Sequence, residues 1–459
     1  MTEPVGTIVP DAGVWSARYV WVTVGAVALI FLAAIQSLAV TTVMPIVSAD
    51  LDGEALYAVA FAGTLATSVI GMVAAGAWSD RSGPRGPLYA SVALFVIGLV
   101  VAGFATTMPM LVAGRLVQGL GTGGQTVALY VVVARVYPSA LHGRVFAAFS
   151  AAWVVPSLIG PFLAGAVTEY LHWRWVFLGV ALLTVIAFAM VAVRLHGLPL
   201  HTDHPSGGGV AGRLACAVAL ALGALVLSLA GELGAWAGLA VAASLVVITL
   251  AARPLLPRRT LIAARGLPSV ILMRGLIAGA LFGAEIYVPY LLIADYDFSP
   301  TWAGLGLTAA ALLWAAAAWV QGTFGDRIGN TRITLIGSAL LFTALAAAAT
   351  TAWAHLPPAA LVAGWGLAGA GMGLMYPRLT VLTLAYSTPQ NQGFNSSALS
   401  ISDAIGASVA IAAMGLTFVA LTGTGVGFPV VFLLAAGLSV LALIPGLRLG
   451  HAHEVSRRD

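Results

Sequence analysis

The chain has 459 residues, of which 60% are hydrophobic and 8% charged, and its mean hydropathy is +1.01. So little polar surface cannot cover soluble domains, which places the chain in a bilayer. All 20 basic residues are Arg, the formal net charge is +4, and the single cysteine, Cys216, has no partner for an internal disulfide, so composition supports neither a nucleic-acid partner nor a redox role.

A helix crossing the hydrocarbon core needs about 20 apolar residues. Windows of that length, separated at Gly, Pro and charge clusters, predict fourteen spans: 19–47, 55–78, 87–105, 108–136, 142–168, 174–194, 213–231, 234–252, 267–293, 300–322, 333–353, 357–386, 394–420 and 427–447. Residues 1–18 are polar and lack a cleavable-signal pattern, so the first apolar run is expected to remain. Placing the N-terminus in the cytoplasm puts Arg81, Arg85, Arg144, Arg194, Arg213, Arg253, Arg258, Arg259, Arg265, Arg327, Arg332, Arg448, Arg457 and Arg458 on that side. The outer loops then hold only Arg174 and collect Asp50, Asp52, Glu54, Glu169, Glu232, Asp295 and Asp297. Basic loops are retained inside, so both termini of this cytoplasmic-membrane protein are expected in the cytoplasm. The sequence thus reads as an all-α polytopic membrane protein: a six-helix bundle over 1–195, a linker with two extra spans over 196–266, and a second six-helix bundle over 267–459.

Two polar loops repeat about 250 residues apart: Gly76-Ala-Trp-Ser-Asp80-Arg81-Ser-Gly83-Pro-Arg85 and Gly322-Thr-Phe-Gly-Asp326-Arg327-Ile-Gly329. Gly119, Gly121 and Gly123 return as Gly369, Gly371 and Gly373, and Gly143 and Ser150 as Gly393 and Ser400. Doubled loops on corresponding helices suit a carrier that alternates between two openings. The linker histidines, His201 and His204 among them, have no companion ligands at metal spacing, so no metal or other cofactor is expected.

On these loops the chain resembles the major facilitator superfamily, and specifically its fourteen-span drug:proton antiporter branch. The resemblance implies a fold of two six-helix bundles plus two extra helices, and a gating role for Gly76, Asp80, Arg81, Gly83, Arg85, Asp326 and Arg327. Arg115-Leu-Val-Gln118-Gly119 resembles the fourth-helix motif linked to proton coupling in that family. A charge in the middle of a span costs about 2.5–3.5 kcal/mol on insertion scales, so Arg115 should face the interior and find a partner. Pro156-Ser-Leu-Ile-Gly160-Pro161-Phe-Leu-Ala-Gly165 resembles the fifth-helix antiporter motif and points to export. Trp173 and Trp175, around Arg174, read as interfacial anchors.

Glu285 and Asp403 fall inside predicted spans. A carboxyl in low dielectric can take up a proton and surrender it when its surroundings change, which makes both candidates for proton coupling beside Arg115. The family's first-helix acid is replaced by Gln36, which cannot titrate, so neutral or lipophilic cargo is favoured over a strongly cationic one. Gln36, Thr41, Gln125, Tyr130, Trp153, Tyr287, Tyr290, Trp314 and Tyr376 are expected to line one central chamber for an amphipathic substrate. The expectation is a monomeric, proton-coupled exporter in contact with membrane lipids, and not an enzyme. A lipid or glycolipid carrier is the alternative, and a non-transporting sensor ranks third.

Overall fold

The computed structural model describes residues 14–16, 19–195, 209–387 and 392–449, so the histidine linker and Arg457 and Arg458 lie outside the described residues. The long elements are all helices: α1 Val20–Asp50, α2 Tyr57–Ser82, α3 Arg85–Gly103, α4 Met108–Val136, α5 Ser139–Tyr170, α6 Arg174–Leu195, α7 Val210–Leu229 and α8 Ala237–Ala252. They continue with α9 Leu267–Glu285, α10 Tyr287–Ala294, α11 Pro300–Ile328, α12 Asn330–Ala354, α13 Pro358–Ala385, α14 Gln392–Ala420, α15 Gly427–Leu441 and the short α16 Leu443–Gly446.

Thirteen helical stretches among the described residues are long and apolar enough to cross a membrane. One of them, Val210–Ala252, runs for 43 residues and doubles back. Gly234, at φ 52° and ψ −119°, breaks it, and Gly223 of α7 faces Ile248 and the Ser244 carbonyl of α8. The predicted ninth span is split, because Pro289 cannot donate to the carbonyl four residues earlier, at Glu285, where α9 ends. Pro445 acts in the same way on Leu441, and the last predicted span divides into α15 and α16.

The glycines decide how the helices cross. Gly119 and Gly123 of α4 press on the carbonyls of Thr64 and Ser68 of α2, while Gly121 meets Ser91 and Phe95 of α3. In the second half, Gly369 and Gly373 of α13 press on the carbonyls of Ala310 and Trp314 of α11, and Gly371 meets Gly337 and Leu341 of α12. The two triplets make the same contacts in the same register. A side chain at any of these positions would strike backbone, and such small-residue crossings hold helices together where the solvent is lipid. α1 packs on α5 and α6 as α9 packs on α14 and α15. The two sets of helices meet along α5 with α11 and α2 with α14, and α7 lies against both α2 and α14.

Candidate functional site

The crossing of α9 with α14 is made by Gly275 and Gly279 against Gly406, close enough that the backbones touch. One residue before Gly275 stands Arg274, and three before Gly406 stands Asp403. The guanidinium holds the carboxylate in a bidentate pair, Nε to Oδ1 and Nη2 to Oδ2, both at 3.0 Å. Tyr376 of α13 donates its hydroxyl to Asp403 Oδ1 at 2.6 Å, and the Arg274 guanidinium lies 3.3 Å from its ring centroid. Arg274 Nη1 donates to the Tyr376 carbonyl at 3.1 Å and to Thr380 Oγ1 at 3.4 Å. Asp403 is therefore a member of a network that draws on α9, α13 and α14. The side chains of the pair keep 12% and 24% exposure, so neither is fully sealed. Tyr130 of α4, 40% exposed, lies within electrostatic reach of Arg274. It stacks on Phe149, while Trp314 meets Tyr376 edge-on and Trp153 is 47% exposed.

Hydrogen bonds join the two halves at several places. Tyr57 donates to the Ile286 carbonyl at 2.5 Å, at the joint between α9 and α10. Thr301 donates to Glu169 at 2.5 Å, Thr308 to the Leu158 carbonyl at 3.1 Å, and Ser408 to the Ala62 carbonyl at 2.7 Å. Gly165 of α5 presses on Pro300 and Thr301, and Gly304 of α11 on the Pro161 carbonyl, so the proline-glycine motif of α5 is an inter-half crossing. Gly160 has only ordinary contact, with Leu38, and Pro156 sits inside the continuous helix. Tyr57, Tyr287, Tyr290, Phe418 and Phe428 pack ring on ring by the α9–α10 joint. Glu285 immediately precedes the joint, is half-buried, and has no hydrogen bond or ion pair among the described residues.

Arg115 is 5% exposed and has neutral partners: Nη1 donates to Gln118 Oε1 at 2.7 Å and Nε to the Ala60 carbonyl of α2 at 3.3 Å. Gln36 is fully buried with neither amide atom bonded, and Gln125 donates to the Leu29 carbonyl of α1 at 3.1 Å. Thr41 turns back to the Ser37 carbonyl. Of the residues expected to line one chamber, Gln36, Thr41 and Gln125 are buried on α1 and α4, Tyr287 and Tyr290 pack in the aromatic cluster by the α9–α10 joint, Tyr376 and Trp314 stand at the Arg274–Asp403 pair, and Tyr130 and Trp153 are exposed.

The two repeated loops are built on glycine turns. Gly83 and Gly329 end α2 and α11 at φ 84° and 86°, a conformation that glycine alone adopts without strain. Asp80 is exposed and unpaired among the described residues, and Gly76 has no close neighbour. The Asp326 side chain lies outside what is described, and Arg327 is exposed. Arg135 of α4 grips the same end, its Nη2 donating to the Ser79 carbonyl of α2 at 3.2 Å. Arg378 of α13 takes the corresponding place beside Gly325 and donates to Asn330 at 2.7 Å. Trp173 is buried and donates to Asp50 at 2.9 Å, which corrects its reading as an anchor, whereas Trp175 is exposed. Sequence reasoning gave Arg274, Arg135 and Arg378 no role. The signal for Arg274 was a lone cation inside an apolar span, which by itself demands a partner.

Comparison with known proteins gives the same architecture. The Major Facilitator Superfamily profile matches residues 26–410 and 270–458. An uncharacterized MFS-type transporter of Mycobacterium tuberculosis is 28% identical over 411 residues, which cover 85% of this chain and 58% of that protein. The chain thus spans about three fifths of that relative's length. The MFS efflux transporter aclA of Aspergillus oryzae is 34% identical over 163 residues, 34% of this chain and 29% of its own. Among solved structures, a POT family transporter in complex with 5-aminolevulinic acid superposes with a TM-score of 0.70 at 13% identity, covering 96% of this chain and 99% of that one. A D-xylose-proton symporter does so at 0.67 and 13%, covering 94% and 98%. The chain is a multi-pass membrane protein of a transporter fold, not an enzyme, and it belongs to the major facilitator superfamily.

Proposed function

We propose that this protein is a proton-coupled exporter of small amphipathic compounds, crossing the cytoplasmic membrane fourteen times with both termini inside and working by alternating access. One observation carries the reading: a bidentate, partly exposed Arg274–Asp403 pair stands inside the second bundle, while a hydrogen bond and an aromatic cluster join the two halves at the α9–α10 joint. With basic loops inside, that joint lies toward the outer face and is read as the closed end. The count of fourteen treats α7 and α8 as two spans, α9 with α10 as one and α15 with α16 as one. The two bundles are residues 1–195 and 267–459, with α7 and α8 between them.

The coupling step rests on Asp403. A proton on its carboxylate removes the charge that Arg274 holds, so the bidentate pair opens and the α9–α14 crossing loses its strongest polar contact. Glu285, unpaired beside the inter-half joint, is a second acid for protonation at the closed end. Tyr130, Trp153, Trp314 and Tyr376 offer aromatic surface beside a pair of zero net charge, which suits amphipathic cargo without a strong charge. The relative named as an efflux transporter favours the outward direction. Gly76, Asp80, Arg81, Gly83, Arg85, Asp326 and Arg327 remain the proposed cytoplasmic gate. A lipid carrier is the second reading, in which α7, lying against both α2 and α14, would shape a lateral entrance.

In proteoliposomes, an inward proton gradient should drive outward movement of a dye or drug, and Asp403→Asn should abolish it. Transport indifferent to the gradient, or undiminished by Asp403→Asn, rejects the coupling assignment.

A further inference from the structure

Arg115 is a cation inside the first bundle without an anion to meet it. A guanidinium has five N–H donors, and two are used, on Gln118 Oε1 and the Ala60 carbonyl. That carbonyl already accepts the Thr64 hydroxyl at 2.7 Å. The acids on the helices around α4 stand at their ends: Asp50 closes α1 and is held by Trp173, Asp80 is exposed at the end of α2, Glu169 bonds Thr301 at the end of α5, and α3 has none. A charge in a low-dielectric interior is otherwise paired or neutralised.

A second observation points to the same place. Gln36 of α1 is 0% exposed, and neither its Nε2 nor its Oε1 has a hydrogen-bond partner. It sits two turns along the same face of α1 from Leu29, whose carbonyl receives Gln125 of α4, so this is the face of α1 that addresses α4. Gln118 and Gln125 are likewise two turns apart on α4. A buried amide with free N–H groups on the facing helix is a donor suited to an anion beside Arg115.

We propose that Arg115 forms an anion site in the first bundle: a compact halide or carboxylate docks on the guanidinium donors left over by Gln118 and Ala60, with the Gln36 amide completing its shell. The site goes beyond the transport reading and its test does not depend on transport, because it is read from the stability of the purified full chain. At constant ionic strength in detergent, exchanging a bulky organic sulfonate for chloride or acetate should raise the Tm by about 2–4 °C. A response to chloride identifies a free ion, and a response to acetate alone identifies a carboxylate such as a cargo molecule would bring. Gln118→Glu places a carboxylate on Arg115 Nη1, where the amide oxygen now sits at 2.7 Å. That variant should be more stable in sulfonate and show no anion response, and Arg115→Gln should show none either. Equal Tm in all anions for the wild type, or an unchanged response in Gln118→Glu, overturns the proposal. Should Gln118→Glu not fold, saturable binding of radiolabelled chloride or acetate by the wild type decides, and its absence is fatal.

Discussion

Helices α4 and α13 begin alike, with Leu111-Val-Ala-Gly114 in one and Leu361-Val-Ala-Gly364 in the other, and then part: the next residue is Arg115 in the first and Trp365 in the second. Both are buried, at 5% and 1% exposure. The glycines that follow make matching contacts in the two halves, yet the chemistry between them has been exchanged. At the position of Asp403 in α14, the corresponding residue of α5 is the aromatic Trp153. The first bundle thus holds a cation on neutral groups, and the second holds a cation–carboxylate pair. Backbone contact fixes the glycines, because any side chain there collides, while a residue facing the space between helices is free to change once its own polarity is satisfied.

Four tests by substitution probe that contrast, the largest effect first. Arg274→Leu strands Asp403 with Tyr376 alone and should lower stability by about 3 kcal/mol, whereas Arg274→Leu with Asp403→Leu should recover most of it while transport stays lost. Detergent unfolding with parallel flux measurements reads both, and full loss persisting in the double variant would mean that the pair has structural work beyond its charges. Gly123→Val and Gly373→Val should each cost about 1–3 kcal/mol, by equal amounts, since each α4 or α13 glycine presses on the equivalent carbonyl, Ser68 or Trp314. A several-fold disparity between their unfolding shifts would show that the matching crossings are not energetically alike. Tyr57→Phe removes the bond to Ile286 and should weaken the closed end by about 1 kcal/mol. Spin-label distances across α2 and α10 should then broaden toward an open population, and an unchanged distribution would assign the seal to the aromatic rings. Arg135→Gln and Arg378→Gln should produce the smallest shifts, below about 1 kcal/mol each, seen as faster hydrogen exchange at the ends of α2 and α11.

The spans were legible because a bilayer imposes length and polarity directly on sequence, and the doubling was legible because the loops repeat at an offset of 246 residues and the glycines at 250. Asp403 was legible as a costly residue, although its state was not. Its partner Arg274 is 129 positions away, and the pairing depends on the Gly275–Gly406 crossing that no local pattern encodes. The same holds for Tyr57 and Ile286, which are 229 positions apart.

Sequence by itself determined that this is a duplicated helical membrane protein, since hydrophobic length and internal repetition are properties of the chain. Only the tertiary structure decided which charges meet and which buried polar groups are left without a partner. Those depend on how helices cross, and a crossing is set by contacts between residues that lie far apart along the chain.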